Sequence, residues 1–181
     1  KQYRPEVIRF FVLSSHYRSP LNYSDEQLDD AAAALTRLYT ALRDVDVTIG
    51  GRYTGYSERF KQAMDDDFNT PVAVAVLFDM ARELNKLKNN EEQLAAQLAG
   101  ELKELSGVLG ILQGDPDEFL KAADGTPEDG LAEQDIEAMI AQRVDAKKNK
   151  DWALADKIRD DLKVQGVLLE DVATGTSWRR E

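Results

Sequence analysis

Residues 65–87, DDDFNTPVAVAVLFDMARELNKL, contain the clearest helix start in the chain. Thr70 is a good N-cap residue, and Pro71 has the backbone angle that suits the first helical turn. Apolar residues then recur at steps of 4, 3, 4 and 3, which places them on one helical face. These inward positions are Ala73, Leu77, Met80, Leu84 and Leu87. The segment predicts an amphipathic helix that needs partner helices to cover its apolar face.

An earlier stretch has the same spacing. Ser24 and Gln27 form a capping box that starts a helix, and Gly50-Gly51 is predicted to end it. Its apolar seam follows steps of 3, 4, 3, 4 and 3 at Leu28, Ala31, Leu35, Leu38, Leu42 and Val45. Shorter helices are predicted over 5–15 and 57–65, the second with Phe60 and Met64 inward.

A leucine-rich stretch follows the helix that starts at Thr70. Asn90 with Gln93 predicts its cap, and Gly114 its end. The leucines lie at Leu94, Leu98, Leu102, Leu105, Leu109 and Leu112. Together these helices predict an antiparallel bundle over residues 1–112.

The remainder of the chain has a different character. Residues 113–131 hold Gly and Pro among acidic side chains, which is typical of a linker, with one helical turn around 119–120. Helices near 135–148 and 151–164 come next, followed by strands at 167–172 and 176–179 around a Thr174-Gly175 turn. The predicted fold is mainly α: a helical bundle, then a small α+β C-terminal domain at 132–181 with two helices and a short hairpin.

The composition excludes several classes of protein. The 181 residues contain no cysteine and one histidine, His16, so thiolate and histidine-rich metal sites are excluded. His16 is interpreted as a hydrogen-bonded surface residue, and Asp65-Asp66-Asp67 as a solvated helix start in preference to a metal site. No catalytic constellation is visible and no apolar run reaches membrane-spanning length. A chain that begins at Lys1 is interpreted as a fragment of a longer protein, and we expect a cytoplasmic monomer.

The net charge of −11 is unevenly distributed. Residues 51–130 carry 8 basic and 16 acidic side chains, whereas residues 142–163 carry 7 basic and 5 acidic. A polyanion is therefore repelled by the middle of the chain and tolerated near its end.

An aromatic residue lies inside that basic stretch. Trp152 follows Asp151, a predicted N-cap, and precedes the inward positions Ala155, Ile158 and Leu162. Spacing alone leaves a core position and an exposed stacking platform equally open for Trp152. Asp156 lies one turn further on, where its carboxylate can accept from a base N–H edge; an ion pair with Arg159 is an equally simple alternative. Nearby lysines predict either phosphate contacts or a solvated helix end, namely Lys147, Lys148 and Lys150.

Several blocks of this sequence resemble one enzyme family. Residues 6–11 (EVIRFF), 16–24 (HYRSPLNYS), 65–71 (DDDFNTP) and 143–178 resemble, in order, the C-terminal part of bacterial cysteinyl-tRNA synthetases. The resemblance implies a helical DALR-type domain followed by an anticodon-binding domain. The parent enzyme would use ATP, Mg²⁺ and zinc in an N-terminal catalytic domain, which is absent here. This fragment alone is then expected to be inactive.

The resemblance also implies roles for individual residues. Trp152 would stack on the first base of the GCA anticodon of tRNA(Cys), and Asp156 and Asp171 would bond base edges. Lys147 stands where relatives carry arginine, which turns a bidentate contact into a point charge. Further candidates for contacts with tRNA are Arg143, Lys150, Arg159 and Arg179.

Two other interpretations remain open from the sequence. The chain could be an acidic helical scaffold that binds a protein partner through its leucine seams, or part of a cysteine ligase that does not use tRNA. The pair Trp152 and Trp178 argues against the second, because such an enzyme needs no anticodon reader. Solvent exposure of Trp152 separates the first from tRNA binding.

Overall fold

The computed structural model describes residues 3–47, 55–122, 131–172 and 175–180. These residues form two compact units, Lys1–Phe119 and Leu120–Glu181. The helices are α1 (Pro5–Leu13), α2 (Asp25–Leu42), α3 (Tyr56–Asp65), α4 (Thr70–Leu87), α5 (Glu92–Val108), α6 (Pro116–Lys121), α7 (Glu133–Lys148) and α8 (Trp152–Val164), and the strands are β1 (Val167–Val172) and β2 (Gly175–Arg180). In these ranges no helix combines the length and apolarity that crossing a bilayer requires.

The first unit is organised around α4, which packs against α1, α2, α3 and α5. The five inward positions predicted for α4 are all buried. Three further positions of α4 are also buried, namely Val74, Val76 and Ala81. A helix with neighbours on several sides buries more than one stripe, so the single seam read from spacing is correct but incomplete.

The helix boundaries differ from the prediction at several points. The seam of α2 is confirmed through Leu42, but the helix ends there and Val45 lies outside it. Arg43 turns into extended backbone and is only 3% exposed; its Nε lies 3.0 Å from Asp117 Oδ1. The Lys88 ammonium donates to the carbonyls of Thr40 and Arg43. These contacts end α2 early, and the predicted stop at Gly50-Gly51 lies outside the described residues.

The predicted cap at Ser24 is confirmed, because its side chain accepts from Gln27 N–H, whereas the predicted caps of α4 and α5 are each off by one residue. Asn69 caps α4, where its side chain accepts from Val72 N–H, so Thr70 is the first helical residue. Glu91 precedes α5 without a side-chain cap bond, so the predicted Asn90 cap is wrong. Helix α5 also ends at Val108, ahead of the predicted Gly114, although Leu109 and Leu112 beyond it are buried. In α3, Ala63 is buried and Met64 only half-buried.

A buried polar contact holds the end of the first unit. The Tyr39 hydroxyl lies 3.1 and 3.0 Å from the two carboxylate oxygens of Glu6, and accepts from Gly114 N–H at 3.2 Å. Phe119 stacks on the Tyr39 ring at 3.8 Å between centroids. Residues 112–119 therefore pack on α1 and α2. The helical turn predicted around residue 119 is present as α6, whereas residues 123–130 of the predicted linker lie outside the described part.

The second unit contains α7, α8 and an antiparallel hairpin. The register of β1 and β2 pairs Val167 with Arg180 and Leu169 with Trp178, which confirms the predicted hairpin. Gly175 starts β2, and Thr174 of the predicted turn is outside the described residues. One apolar cluster joins both helices and both strands, formed by Ile136, Ile140, Ile158, Leu162, Val167 and Trp178.

Candidate nucleic-acid interface

A tight, hydrogen-bonded turn ends α7 and leads directly into α8. Asp151 N–H donates to the Ala146 carbonyl at 2.9 Å, and Lys150 N–H to the Lys147 carbonyl at 3.1 Å. This pair of bonds is a Schellman motif, with Lys150 at the left-handed position that glycine usually takes (φ 61°). Asp151 then caps α8 by accepting from Leu154 N–H at 3.1 Å. The backbone of the basic corner is therefore fixed by hydrogen bonds at both helix ends.

Trp152 is the first residue of α8, and its side chain is 60% exposed. The apolar cluster of the second unit is complete without it, because Trp178 supplies the large ring there. Leu154, two residues further along α8, is 44% exposed and adds apolar surface that the sequence analysis did not single out. The structure thus settles the question left open by spacing: Trp152 is a surface aromatic residue on a rigid helix start.

Asp156 lies one turn after Trp152 on the exposed side of α8. Its Oδ1 is 3.3 Å from Arg159 Nη1, so the ion-pair alternative is formed. The Arg159 side chain is also 3.4 Å from Asp160. Both sides of the Asp156–Arg159 pair are at least half exposed, and such pairs contribute about 0–1 kcal/mol. Asp156 can therefore exchange Arg159 for another donor at little cost.

A second polar cluster surrounds Asp171 on β1. Arg143 Nη1 donates to Asp171 Oδ1 at 3.0 Å and Lys147 Nζ to Oδ2 at 3.1 Å. Thr176, opposite Asp171 in the hairpin register, donates its hydroxyl at 3.0 Å. Arg143 is 6% exposed, whereas the Asp171 carboxylate remains half open to solvent. The cluster ties α7 to the hairpin; Thr176 was missed because its role depends on strand register.

The neighbouring cations control the ionisation of Asp171. The Arg143 guanidinium first, and then the Lys147 ammonium, hold the pKa of the Asp171 carboxyl well below its usual range. A pKa that is depressed in the folded state stabilises the fold above the unfolded-state value of about 4, and this contribution is lost as the pH falls through the folded-state pKa.

We therefore expect Asp171→Asn to lower the unfolding midpoint of the second unit more at pH 7 than at pH 2. Urea titrations of wild type and variant at the two pH values measure the difference. Asp145→Asn is the matched control, because Asp145 forms only an exposed pair with Lys148 on the same helix. Equal losses at both pH values would contradict the assignment.

The remaining cationic candidates occupy different positions. Arg179 Nε donates to Glu170 Oε1 at 3.0 Å across the hairpin. Lys150 is exposed at the corner, and Lys148 makes an exposed pair with Asp145. The structure therefore brings Trp152, Asp156 and Arg159 onto one stripe of α8, and Arg143 and Lys147 around Asp171. Across the described ranges, no group of three or more His, Cys, Asp or Glu is arranged to hold a metal ion.

Known proteins resemble this chain over its whole length. Residues 59–113 match the family model described as the DALR domain. The cysteine–tRNA ligase of Methylococcus capsulatus is 58% identical over 185 residues, which cover 99% of this chain and 39% of that protein. The cysteine–tRNA ligase of Thioalkalivibrio sulfidiphilus is 61% identical (99% of this chain, 38% of that protein), and that of Escherichia coli 52% (100% and 39%). The chain spans about two fifths of the length of these relatives.

Proposed function

Since this chain is homologous along its whole length to part of the bacterial cysteine–tRNA ligases, we propose that it binds tRNA(Cys) and that its second unit reads the anticodon. The observation that carries the proposal is the exposed Trp152 ring at the start of α8, with a weakly engaged carboxylate one turn on. Unpaired bases are recognised by stacking on aromatic rings and by hydrogen bonds to their edges.

Each part of the interface has a separate task. Trp152 stacks on an anticodon base that is turned out of the RNA stack. Any base can stack in this way, because each has a π face. Asp156 accepts a hydrogen bond from a base N–H, and this bond distinguishes bases by their edges. Lys147, Lys148 and Lys150 lie near the phosphates that flank the stacked base. Arg143 positions Asp171, and Arg179 supports the hairpin through Glu170.

The electrostatics favour a small footprint on the RNA. The acidic middle of the chain repels phosphates, so few cations neutralise the backbone. If three or four phosphates of the single-stranded loop are contacted, the slope of log affinity against log salt is about −2 to −3.

The chemistry of the complete protein is part of the same proposal. The complete protein ligates cysteine to tRNA(Cys) with ATP, in the cytoplasm and as a monomer. Its catalytic domain lies outside these 181 residues. We assign ATP, Mg²⁺ and zinc to that domain. For zinc the composition agrees, because a chain with no cysteine and one histidine lacks the ligands of a thiolate zinc site. The protein-scaffold alternative is less favoured, because a buried Trp152 would have supported it and the ring is exposed.

The decisive experiment compares two tRNAs. We expect the complete enzyme to charge tRNA carrying GCA with a kcat/KM about 5–150-fold above that for a tRNA changed at one anticodon base, since a lost base contact costs about 1–3 kcal/mol. A tRNA changed at a loop position outside the anticodon is the control and should be charged like wild type. Equal charging of GCA and anticodon-variant tRNA would exclude anticodon reading.

A further inference from the structure

The corner between α3 and α4, in the first unit, has an unusual backbone. Asp67 and Phe68 are consecutive non-glycine residues with φ of 54° and 52°. The left-handed region is unfavourable for residues with a Cβ atom, and for a bulky residue such as Phe68 it is a rare outlier. Phe68 is 65% exposed, so burial of its ring within this chain does not offset the cost. Strain of this kind is concentrated at functional sites.

A polar network holds this corner in place. Asp67 accepts from the Tyr17 hydroxyl at 2.7 Å and from Arg18, whose Nε lies 2.7 Å from Oδ2. The His16 ring stacks on the Tyr17 ring with centroids 4.9 Å apart. The Tyr17 ring is nevertheless 61% exposed. The network therefore presents two aromatic rings, Tyr17 and Phe68, on a fixed backbone at the surface of the first unit.

The charges around the rings indicate which partner fits. Asp65, Asp66 and Asp67 supply three exposed carboxylates, of which Asp67 is paired with Arg18. A phosphate backbone is repelled by this balance, whereas lysine and arginine side chains are attracted. Val72, in the first turn of α4 and four residues after Phe68, adds exposed aliphatic surface. A surface with an apolar centre and an acidic border matches a polypeptide segment with aliphatic and basic side chains.

We propose that Tyr17, Phe68 and Val72 form a docking surface for a basic segment of the remaining three fifths of the polypeptide. The proposal rests on the proposed function in one respect, namely that the complete protein contains that remainder. It is supported by the coverage of 38–39% of the relatives' length, which leaves a large part of their chain outside the match. The free energy of docking would offset the cost of the left-handed backbone at Asp67 and Phe68. The contact would also position the first unit on the rest of the protein.

Hydroxyl-radical footprinting of the complete polypeptide tests the surface. Tyr23 is 70% exposed on the same loop region and serves as the internal reference, because its exposure is close to that of Tyr17 and Phe68. We expect Tyr17 and Phe68 to be oxidised at least fivefold more slowly than Tyr23, after correction for intrinsic reactivity. Equal rates for all three would overturn the proposal. Protection that grows with protein concentration would assign the surface to a second copy, and protection only with tRNA would assign it to RNA; either result also overturns it.

Phe68→Asn provides the matched variant, because asparagine tolerates the left-handed conformation. In the complete polypeptide we expect Tyr17 oxidation to rise to the rate of Tyr23, whereas Tyr23→Asn should leave Tyr17 protected. Unchanged Tyr17 protection in Phe68→Asn would overturn the role of the ring. The preference of the Phe68→Asn enzyme for GCA over an anticodon variant should stay unchanged, so failure of docking is separable from failure of anticodon reading.

Discussion

Replacing Trp152 by alanine is expected to weaken binding of tRNA carrying GCA by about 1–3 kcal/mol, or about 5–150-fold in Kd. The reason is the loss of the stacking surface that the ring offers to an unpaired base. Filter binding or fluorescence anisotropy with the complete enzyme measures the change. Trp152→Phe should retain part of the affinity, because a smaller ring still stacks.

The same substitution should leave folding unaffected. Trp152 is 60% exposed and is absent from the apolar cluster of the second unit, so its removal creates no cavity. Leu154→Ala is the matched control: Leu154 lies in the same turn and is also exposed, but it has no π face. An unchanged Kd for Trp152→Ala, or an unfolding midpoint that falls together with affinity, would contradict the stacking role.

The contribution of Asp156 should appear as specificity. Its exposed pair with Arg159 is weak, so a base N–H can replace the guanidinium without a large penalty. A residue that reads an edge changes the ratio of affinities between two anticodons, whereas a residue that only stacks lowers both alike. Trp152 and Asp156 therefore occupy one turn of helix but affect different measured quantities.

The helices of the bundle were largely predictable from the sequence, because their buried faces are encoded in the spacing of nearby residues. The seams of α2 and α4 follow from residue spacing, which fixes a helical face wherever the chain packs. The end of α2 was not predictable in the same way. It is set by the burial of Arg43 beside Asp117 and by Lys88 on two carbonyls, and these partners are 45 or more residues away in sequence.

The candidate site shows the same division between local and distant information. Sequence identified Trp152 and the basic corner, but spacing could not say whether the ring was buried. Exposure is decided by what else fills the core, and Trp178 fills it from a strand 26 residues later. The role of Arg143 was likewise hidden, because its partner Asp171 lies 28 residues away and becomes a neighbour only through the hairpin.

Trp178→Ala should have the largest effect on stability in the second unit. Trp178 is 2% exposed, packs in the apolar cluster with Ile136 and Leu162, and donates its indole N–H to Glu137 at 2.7 Å. Truncating a buried tryptophan costs about 3–5 kcal/mol through lost burial and a residual cavity. A unit of about 60 residues has a stability of about 3–9 kcal/mol, so the variant should be largely or partly unfolded at 25 °C.

The two tryptophans therefore give opposite results in a paired experiment. Urea unfolding followed by far-UV circular dichroism should show a lost or strongly lowered transition for the second unit in Trp178→Ala, whereas Trp152→Ala unfolds like wild type. Trp178→Phe should lie between them, since it keeps most of the apolar contact but leaves Glu137 without the indole donor. Both alanine variants should lose affinity for tRNA, but in Trp178→Ala the loss follows unfolding of the unit that presents Trp152. An unaltered transition in Trp178→Ala would mean that the hairpin does not support α8, and the rigid stacking platform would lose its structural basis.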